Sequence, residues 1–153
     1  MLSKSIFNTI IENTPLVAID LIIKNQSGNI LLGRRVNEPA KNYLFVPGGR
    51  IYKNETFATA FERITYNELG TKFLLSNANY HGHYEHFYDK SVDNENISTH
   101  YIVLAYELFV TNLASLPFRQ HKEYFWVSIH DIIKNGEVHK YTQNYFKGED
   151  VND

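Results

Sequence analysis

An α/β fold is the class this sequence predicts, on three observations: apolar runs of strand length bounded by turn residues, one helix-spaced apolar pattern among them, and a second such pattern near the end. Ser5 to Glu12 forms a short amphipathic pattern, so an N-terminal helix over about residues 3–12 comes first. Pro15 to Asn25 follows as a strand, with Val17, Ile19, Leu21 and Ile23 on one face and Asp20 among the opposite set. Gln26-Ser27-Gly28-Asn29 turns the chain, and Ile30 to Arg35 returns it as a second strand. Tyr43 to Pro47 is a third, short apolar run leading into Gly48-Gly49. A helix comes next, because Phe57, Phe61 and Ile64 recur at helical spacing, Asn54 stands where an N-cap belongs, and Gly70 supplies a left-handed stop. Lys72 to Tyr88 and Thr99 to Thr111 read as long strands rich in β-branched and aromatic residues, separated by the polar stretch Asp89 to Ser98. Tyr124 to Val127 adds a strand, Ser128 caps a helix through Lys134, and Val138 to Lys147 forms a last helix before a polar tail at 148–153.

With 153 residues, one domain over residues 1–153 is expected, burying about two thirds of the unfolded chain's surface. Fifteen Lys and Arg against 17 acidic residues give a formal charge of −2, which offers no general attraction for nucleic acid or an anionic membrane. Phosphate binding would therefore be local. The absence of cysteine excludes disulfides, thiolate zinc sites and cysteine nucleophiles, and accords with a reducing compartment. No segment approaches the roughly 20 apolar residues that span a bilayer, and the N-terminal pattern is not that of a signal peptide, so a cytoplasmic protein is expected.

Chemistry concentrates between Gly48 and Gly70. A glycine turn, Glu55, Arg63 and Glu68-Leu69-Gly70 stand at intervals that set a loop against the helix after it. Such a loop and helix present backbone carbonyls and a carboxylate to one hard cation beside a diphosphate. The spacing resembles the Nudix box, G-x5-E-x7-R-E-U-x-E-E-x-G-U with U aliphatic, which is matched at Gly49, Glu55, Arg63, Glu68 and Gly70. Ile64 and Asn67 replace two family glutamates, and Thr65 and Thr71 occupy usually aliphatic positions. The resemblance implies an α/β/α sandwich with a mixed central β-sheet, in which Glu55 and Arg63 pair to orient the loop and Glu68 faces the metal.

Further matches run through nearly the whole chain: Thr14-Pro15-Leu16-Val17 with Asp20, Leu31-Leu32-Gly33-Arg34-Arg35, Phe45-Val46-Pro47-Gly48-Gly49-Arg50, Phe61-Glu62-Arg63, His86-Phe87-Tyr88-Asp89, His100-Tyr101 and Gln120-His121. Together they resemble the GDP-mannose mannosyl hydrolase branch, in which water attacks the anomeric carbon, the configuration inverts and GDP leaves. That chemistry accounts for the depleted box. When carbon–oxygen is the bond broken, a single cation that neutralises the departing diphosphate suffices, and a protein base activates the water. The resemblance implies His121 as that base and a Mg²⁺ shell, with Mn²⁺ as a substitute, from the Gly48 carbonyl, Glu68 and Gln120. It also implies Arg35 and Arg50 on the diphosphate; Asp20, His86 and Tyr101 on the sugar; GDP-mannose and GDP-glucose as substrates; and a homodimer with Phe7, Ile10 and Ile11 near the partner.

Blander readings stand beside these. A solitary loop histidine is ordinarily solvated, Arg35 and Arg50 are ordinary surface cations unless a diphosphate lies between them, and Asp20 is either exposed or a sugar contact. His86 and Tyr101 fit strand packing as well as a sugar site. His81, His83 and Glu85 share a strand face and have zinc-ligand chemistry, although a solvent-facing strand explains them too. The 10 Phe, 11 Tyr and single Trp serve as base-stacking platforms or as core. Two other activities fit the same fold: a pyrophosphohydrolase attacking phosphorus, and a non-catalytic sensor of nucleotide sugars. The sensor is opposed by the lack of an appended partner domain and by the Gln120-His121 pair.

Overall fold

A computed structural model describes residues 2–91, 94, 96–111 and 121–150, apart from the side chains of residues 121, 122, 149 and 150. Helix α1 (Lys4–Asn13) is capped by the Ser3 hydroxyl, which accepts from the Ile6 N–H. Strand β1 (Leu16–Lys24) runs parallel to β6 (Thr99–Phe109), in register from Leu16 opposite Tyr101 to Lys24 opposite Phe109. On its other edge β1 has two antiparallel partners in succession. It meets β2 (Ile30–Arg35) at Lys24 and β4 (Gly48–Arg50) from Asp20 to Ala18. Strand β2 also pairs with β3 (Leu44–Phe45) and with β7 (His121–Val127), and β5 (Asn79–Tyr88) completes the sheet against β6. The mixed sheet and its covering helices are the α/β/α arrangement expected.

This change of partner forks the sheet beside Asp20. Pro47 has no N–H to give a ladder, so the chain leaves β3 before it and rejoins the sheet beside β1. The Leu21 N–H donates to the Pro47 carbonyl (2.8 Å), and the Ile51 N–H donates to the Val17 carbonyl (2.8 Å). The run expected over 43–47 is thus a strand only at Leu44–Phe45, and the expected glycine turn is itself strand β4, on a different neighbour.

Both faces of β1 are packed. Ile19, Leu21 and Ile23 join Phe61, Ile64 and Leu69 of α2 (Phe57–Leu69), whereas Ile22 joins Ile30, Leu32, Ile132 and Phe146 on the opposite face. A strand parallel to its neighbour and covered on both sides reads as a continuous apolar run. Asp20 interrupts that run on the second face. Val17, expected inside, is 39% exposed because it precedes the point where α2 covers the sheet.

Several boundaries differ from expectation. The N-cap of α2 is Thr56 instead of Asn54, because Thr56 and Thr59 satisfy each other's backbone N–H groups reciprocally (3.1 and 3.0 Å) while Asn54 turns the chain at φ 73°. Gly70 does end the helix, at φ 75°. The long strand expected from Lys72 begins only at Asn79, since Leu75–Asn77 makes a 3-10 turn after the buried Thr65 hydroxyl accepts from the Phe73 N–H (3.0 Å). Strand β7 starts three residues before Tyr124. Ser128 caps α3 (Ile129–Lys134) as expected. The last expected helix is broken: Val138 bridges to Leu44, His139 caps α4 (Lys140–Asn144), and Tyr145 and Phe146 turn into the core before α5 (Lys147–Asp150). Among the described residues no helix is long and apolar enough to cross a membrane.

At the fork, a Cβ on Gly48 would lie 2.5 Å from Asp20 Oδ1 and 2.6 Å from the Ile19 carbonyl. Gly48→Ala is therefore expected to lose about 1–3 kcal/mol of stability in urea unfolding, as overpacking does. A variant as stable as the wild type would show that strands β1 and β4 are not held this closely.

Candidate active site

A cleft of about 410 Å³ opens where the fork, α2 and the ends of β5 and β6 meet. Asp20 reaches it from β1, Gly48 and Arg50 from β4, Arg35 from the end of β2, Glu68 from α2, His86 and Tyr88 from β5, and Tyr101 from β6. The structure thus gathers seven of the nine residues singled out in the sequence. Gln120 lies outside the described residues. The His121 backbone is the β-ladder partner of Arg35, and its side chain is likewise outside them.

The loop of residues 50–55 is tied down by one ion pair. Arg63 donates through Nε to Glu55 Oε2 (2.7 Å) and through Nη2 to Glu55 Oε1 (2.9 Å) and the Arg50 carbonyl (2.7 Å), while Glu55 accepts from the Tyr52 N–H (2.6 Å). This two-point contact holds the Glu55 carboxyl below its ordinary range, Arg63's hydrogen bonds being the main cause. Arg63 also stacks 3.8 Å from the Tyr52 ring. The pairing is the one the family resemblance implied.

Arg35 and Arg50 are differently placed. Arg35 Nε is buried and has no hydrogen-bond partner among the described residues, and its guanidinium lies 5.6 Å from the Phe45 ring. A buried guanidinium N–H without a partner leaves desolvation uncompensated until an anion supplies an acceptor. The Arg50 guanidinium sits between the rings of Phe7 (4.9 Å) and Tyr52 (5.0 Å), which orient it by cation–π contact. Phe7 and the buried Ile11 accordingly line the cleft of their own chain, while Ile6 is exposed.

Asp20 is half-buried, at the wall of the cleft. Burial pushes its carboxyl up to about 6, opposed by a hydrogen bond from Tyr145 and the charge of Arg35, and abetted by the charge of Glu68. Glu68 is 7% exposed, and its Oε1 accepts from the Gly48 N–H (3.2 Å). Two neighbouring carboxylates of like charge, beside a backbone kept free of a side chain, form a donor set that suits a hard divalent cation. Among the described residues no cluster of three His, Asp or Glu side chains is arranged as a metal cage.

His86 is 3% exposed and stacks face to face on Tyr141, with ring centroids 4.2 Å apart. Burial, reinforced by the neighbouring His139, pushes its pKa down to about 4, so the ring is neutral at pH 7. His139 is also pushed down to about 4, mainly by burial. Tyr88 and Tyr101 are held protonated by burial, their pKa values raised. This wall of the cleft therefore offers neutral hydroxyl and imidazole groups. His81 and His83 make no shared site with Glu85: His81 bonds the Tyr145 carbonyl (2.9 Å) and His83 the Tyr80 hydroxyl (3.1 Å).

Sequence reasoning misses Tyr145, Tyr141 and His139. They fall within the last expected helix, and nothing local says that Tyr145 reaches Asp20, 125 positions away.

Comparison with known proteins agrees with this geometry. The sequence profile of the NUDIX domain matches residues 14–146. Over 103 residues, 67% of this chain, the sequence is 45% identical to the low-salt glycan biosynthesis protein Agl8 of Haloferax volcanii, and the match spans 64% of that protein's length. Among solved structures, the MutT protein from Methanosarcina mazei Go1 superposes with a TM-score of 0.72 at 20% identity, over 92% of this chain and 96% of that one. The NUDIX domain of Shewanella oneidensis NrtR, complexed with ADP ribose, gives a TM-score of 0.65 at 11% identity, over 99% and 100%. At these identities the two structures show the fold alone.

Burial of His86 makes stability depend on pH. As pH falls from 6.5, the ordinary value, to about 4, the unfolded chain binds a proton there that the folded chain does not, so stability is present above that window and lost through it. His139 acts in the same sense and Asp20 in the opposite one, so the comparison is with His86→Gln. Between pH 7 and 4 the wild type is expected to lose about 3 kcal/mol more than that variant in denaturant unfolding. Parallel losses would show that His86 is not buried neutral.

Proposed function

The chain belongs to the NUDIX family of hydrolases, and from that premise we propose that it hydrolyses GDP-mannose, and GDP-glucose as a second substrate, to GDP and the free hexose by attack of water at the anomeric carbon with inversion. One observation carries the choice of bond. Of the α2 residues that line the cleft, Glu68 is the one carboxylate: Ile64 is 1% exposed and packed under Gly49, and Asn67 is an amide. Activating water against phosphorus with a cluster of cations asks for more carboxylate ligands than this helix offers. Departure of GDP from carbon asks only for charge stabilisation.

Members of the family typically use divalent metal ions. Glu68 and the Gly48 backbone, with Gln120, would hold Mg²⁺ or Mn²⁺, which would neutralise charge on the departing diphosphate. Arg35, with its unpartnered Nε, and Arg50 would bind the phosphate oxygens. Arg63 is engaged by Glu55 and would serve the loop. Asp20, the neutral His86 and Tyr101 would orient the hexose. His121, whose backbone is registered opposite Arg35, would take the proton from water. Similarity to a glycan biosynthesis protein supports a nucleotide sugar as substrate, and the NrtR NUDIX domain was seen with ADP ribose, a nucleoside diphosphate joined to a sugar. We keep a cytoplasmic homodimer as part of the same reading.

Hydrolysis in heavy-oxygen water tests the bond broken. The label is expected on the hexose, released with inverted configuration; label on a phosphate would overturn the reading in favour of attack at phosphorus. His121→Ala is expected to reduce kcat by about 10²- to 10⁴-fold with GDP affinity retained. Undiminished turnover would remove His121 from the chemistry.

A further inference from the structure

The Tyr145 hydroxyl lies where two cleft residues converge. It donates to Asp20 Oδ2 at 2.5 Å and stands 3.5 Å from His86 Nε2. Asp20 Oδ1 is confined from the other side by the bare Gly48 backbone, with room for no side chain there. Asp20 is thus hydrogen-bonded at Oδ2, and its Oδ1 lies close against the Gly48 backbone. The hydrogen bond comes from the far end of the chain: Tyr145 follows α4, is 3% exposed, packs its ring edge-on against Tyr84 (4.7 Å between centroids), and is anchored by its carbonyl, which pairs with His81 Nε2 (2.9 Å).

We propose that Tyr145 is a positioning residue for hexose recognition, fixing the rotamer of Asp20 and, through Asp20 and His86, the discrimination between epimeric sugars. This rests on the reading of Asp20 as a sugar contact. Discrimination at a single hydroxyl turns on hydrogen-bond geometry, and a site built to pair that hydroxyl rejects the epimer by leaving its own polar group unpaired. A carboxylate free to rotate pairs either epimer; one clamped at Oδ2 pairs the one that fits. The hydroxyl bond also supplies part of what burial of a carboxyl requires.

The test uses Tyr145→Phe, which keeps the ring contacts and the anchoring carbonyl and removes only the hydroxyl. Relative to wild type, kcat/KM for GDP-mannose is expected to fall about tenfold, the size of one hydrogen bond to a charged group, and the mannose-to-glucose preference to shrink. Binding of GDP, which has no hexose, should be unchanged within about twofold if only the sugar end is disturbed. In an Asp20→Ala background the same substitution should change kcat/KM less than about twofold, since residues acting through one another are not additive. An unchanged substrate ratio in Tyr145→Phe, or a full further loss in the Asp20→Ala background, would overturn the proposal. A third readout needs no substrate: the strong hydrogen bond is expected to give a far-downfield hydroxyl proton resonance that disappears in both single variants. If the wild type turns over no nucleotide sugar while that resonance is present, the functional reading has failed and the clamp has not. Absence of the resonance in the wild type would overturn the clamp itself.

Discussion

A carboxyl group set into the middle of a strand that is packed on both faces is the constraint on which this structure turns. Burying Asp20 unpaired would cost several kcal/mol; two features around it offset that cost and a third makes room for it. Tyr145 donates to one oxygen, Arg35 adds a positive field, and Gly48 leaves the space a side chain would fill. Each is supplied by a different part of the chain. The sheet itself cooperates, because β1 exchanges β2 for β4 at Asp20, so the ladder opens beside the carboxyl and the cleft begins there.

From that point the electrostatics of the cleft divide in two. Arg63 is consumed by Glu55 and by the Arg50 carbonyl, so it shapes the loop without offering a free guanidinium to a ligand. Arg35 is the opposite case, buried with an N–H that the described residues do not satisfy. Arg50 is held by the faces of two rings, which orient its guanidinium without hydrogen-bonding it. Lining the same cleft as these cations are a histidine and two tyrosines kept neutral by burial. A ligand that carries both a diphosphate and hydroxyls matches both kinds of group. A uniformly charged ligand matches only one.

What the sequence reveals is chemistry written in short spacing. Gly70 as a left-handed stop and Ser128 as a cap each depend on one helix end, where periodicity and turn chemistry decide the outcome, whereas Glu55 with Arg63 is legible through the family resemblance of the box. Asn54 misleads because two threonines later in the chain cap the helix more completely, a reciprocal contact that an Asn side chain alone cannot match. Tyr145 is illegible for another reason. Its aromatic ring obeys the apolar pattern of the last segment, and its hydroxyl is used only because the fold brings that segment against β1. The break of the final helix at Tyr145 has the same origin, since tertiary contact with Asp20 and the core overrides local propensity.

The altered box gains a structural meaning from Ile64. This side chain belongs to the same core cluster as Leu21, Phe61 and Leu69, is 1% exposed, and lies 3.1 Å from where a Gly49 Cβ would be. A glutamate in that place would bring a carboxyl beneath the glycine turn, where it would need a cation or a basic partner to be tolerated. The neighbouring basic group, Arg63, is already closed on Glu55. The apolar contact that supports the loop and the additional carboxylate that would recruit further cations therefore exclude each other at this position. A protein that has taken the apolar option keeps its loop supported with little charge below it, and under the proposed reaction the carboxylates left to the cleft are Glu68 and Asp20.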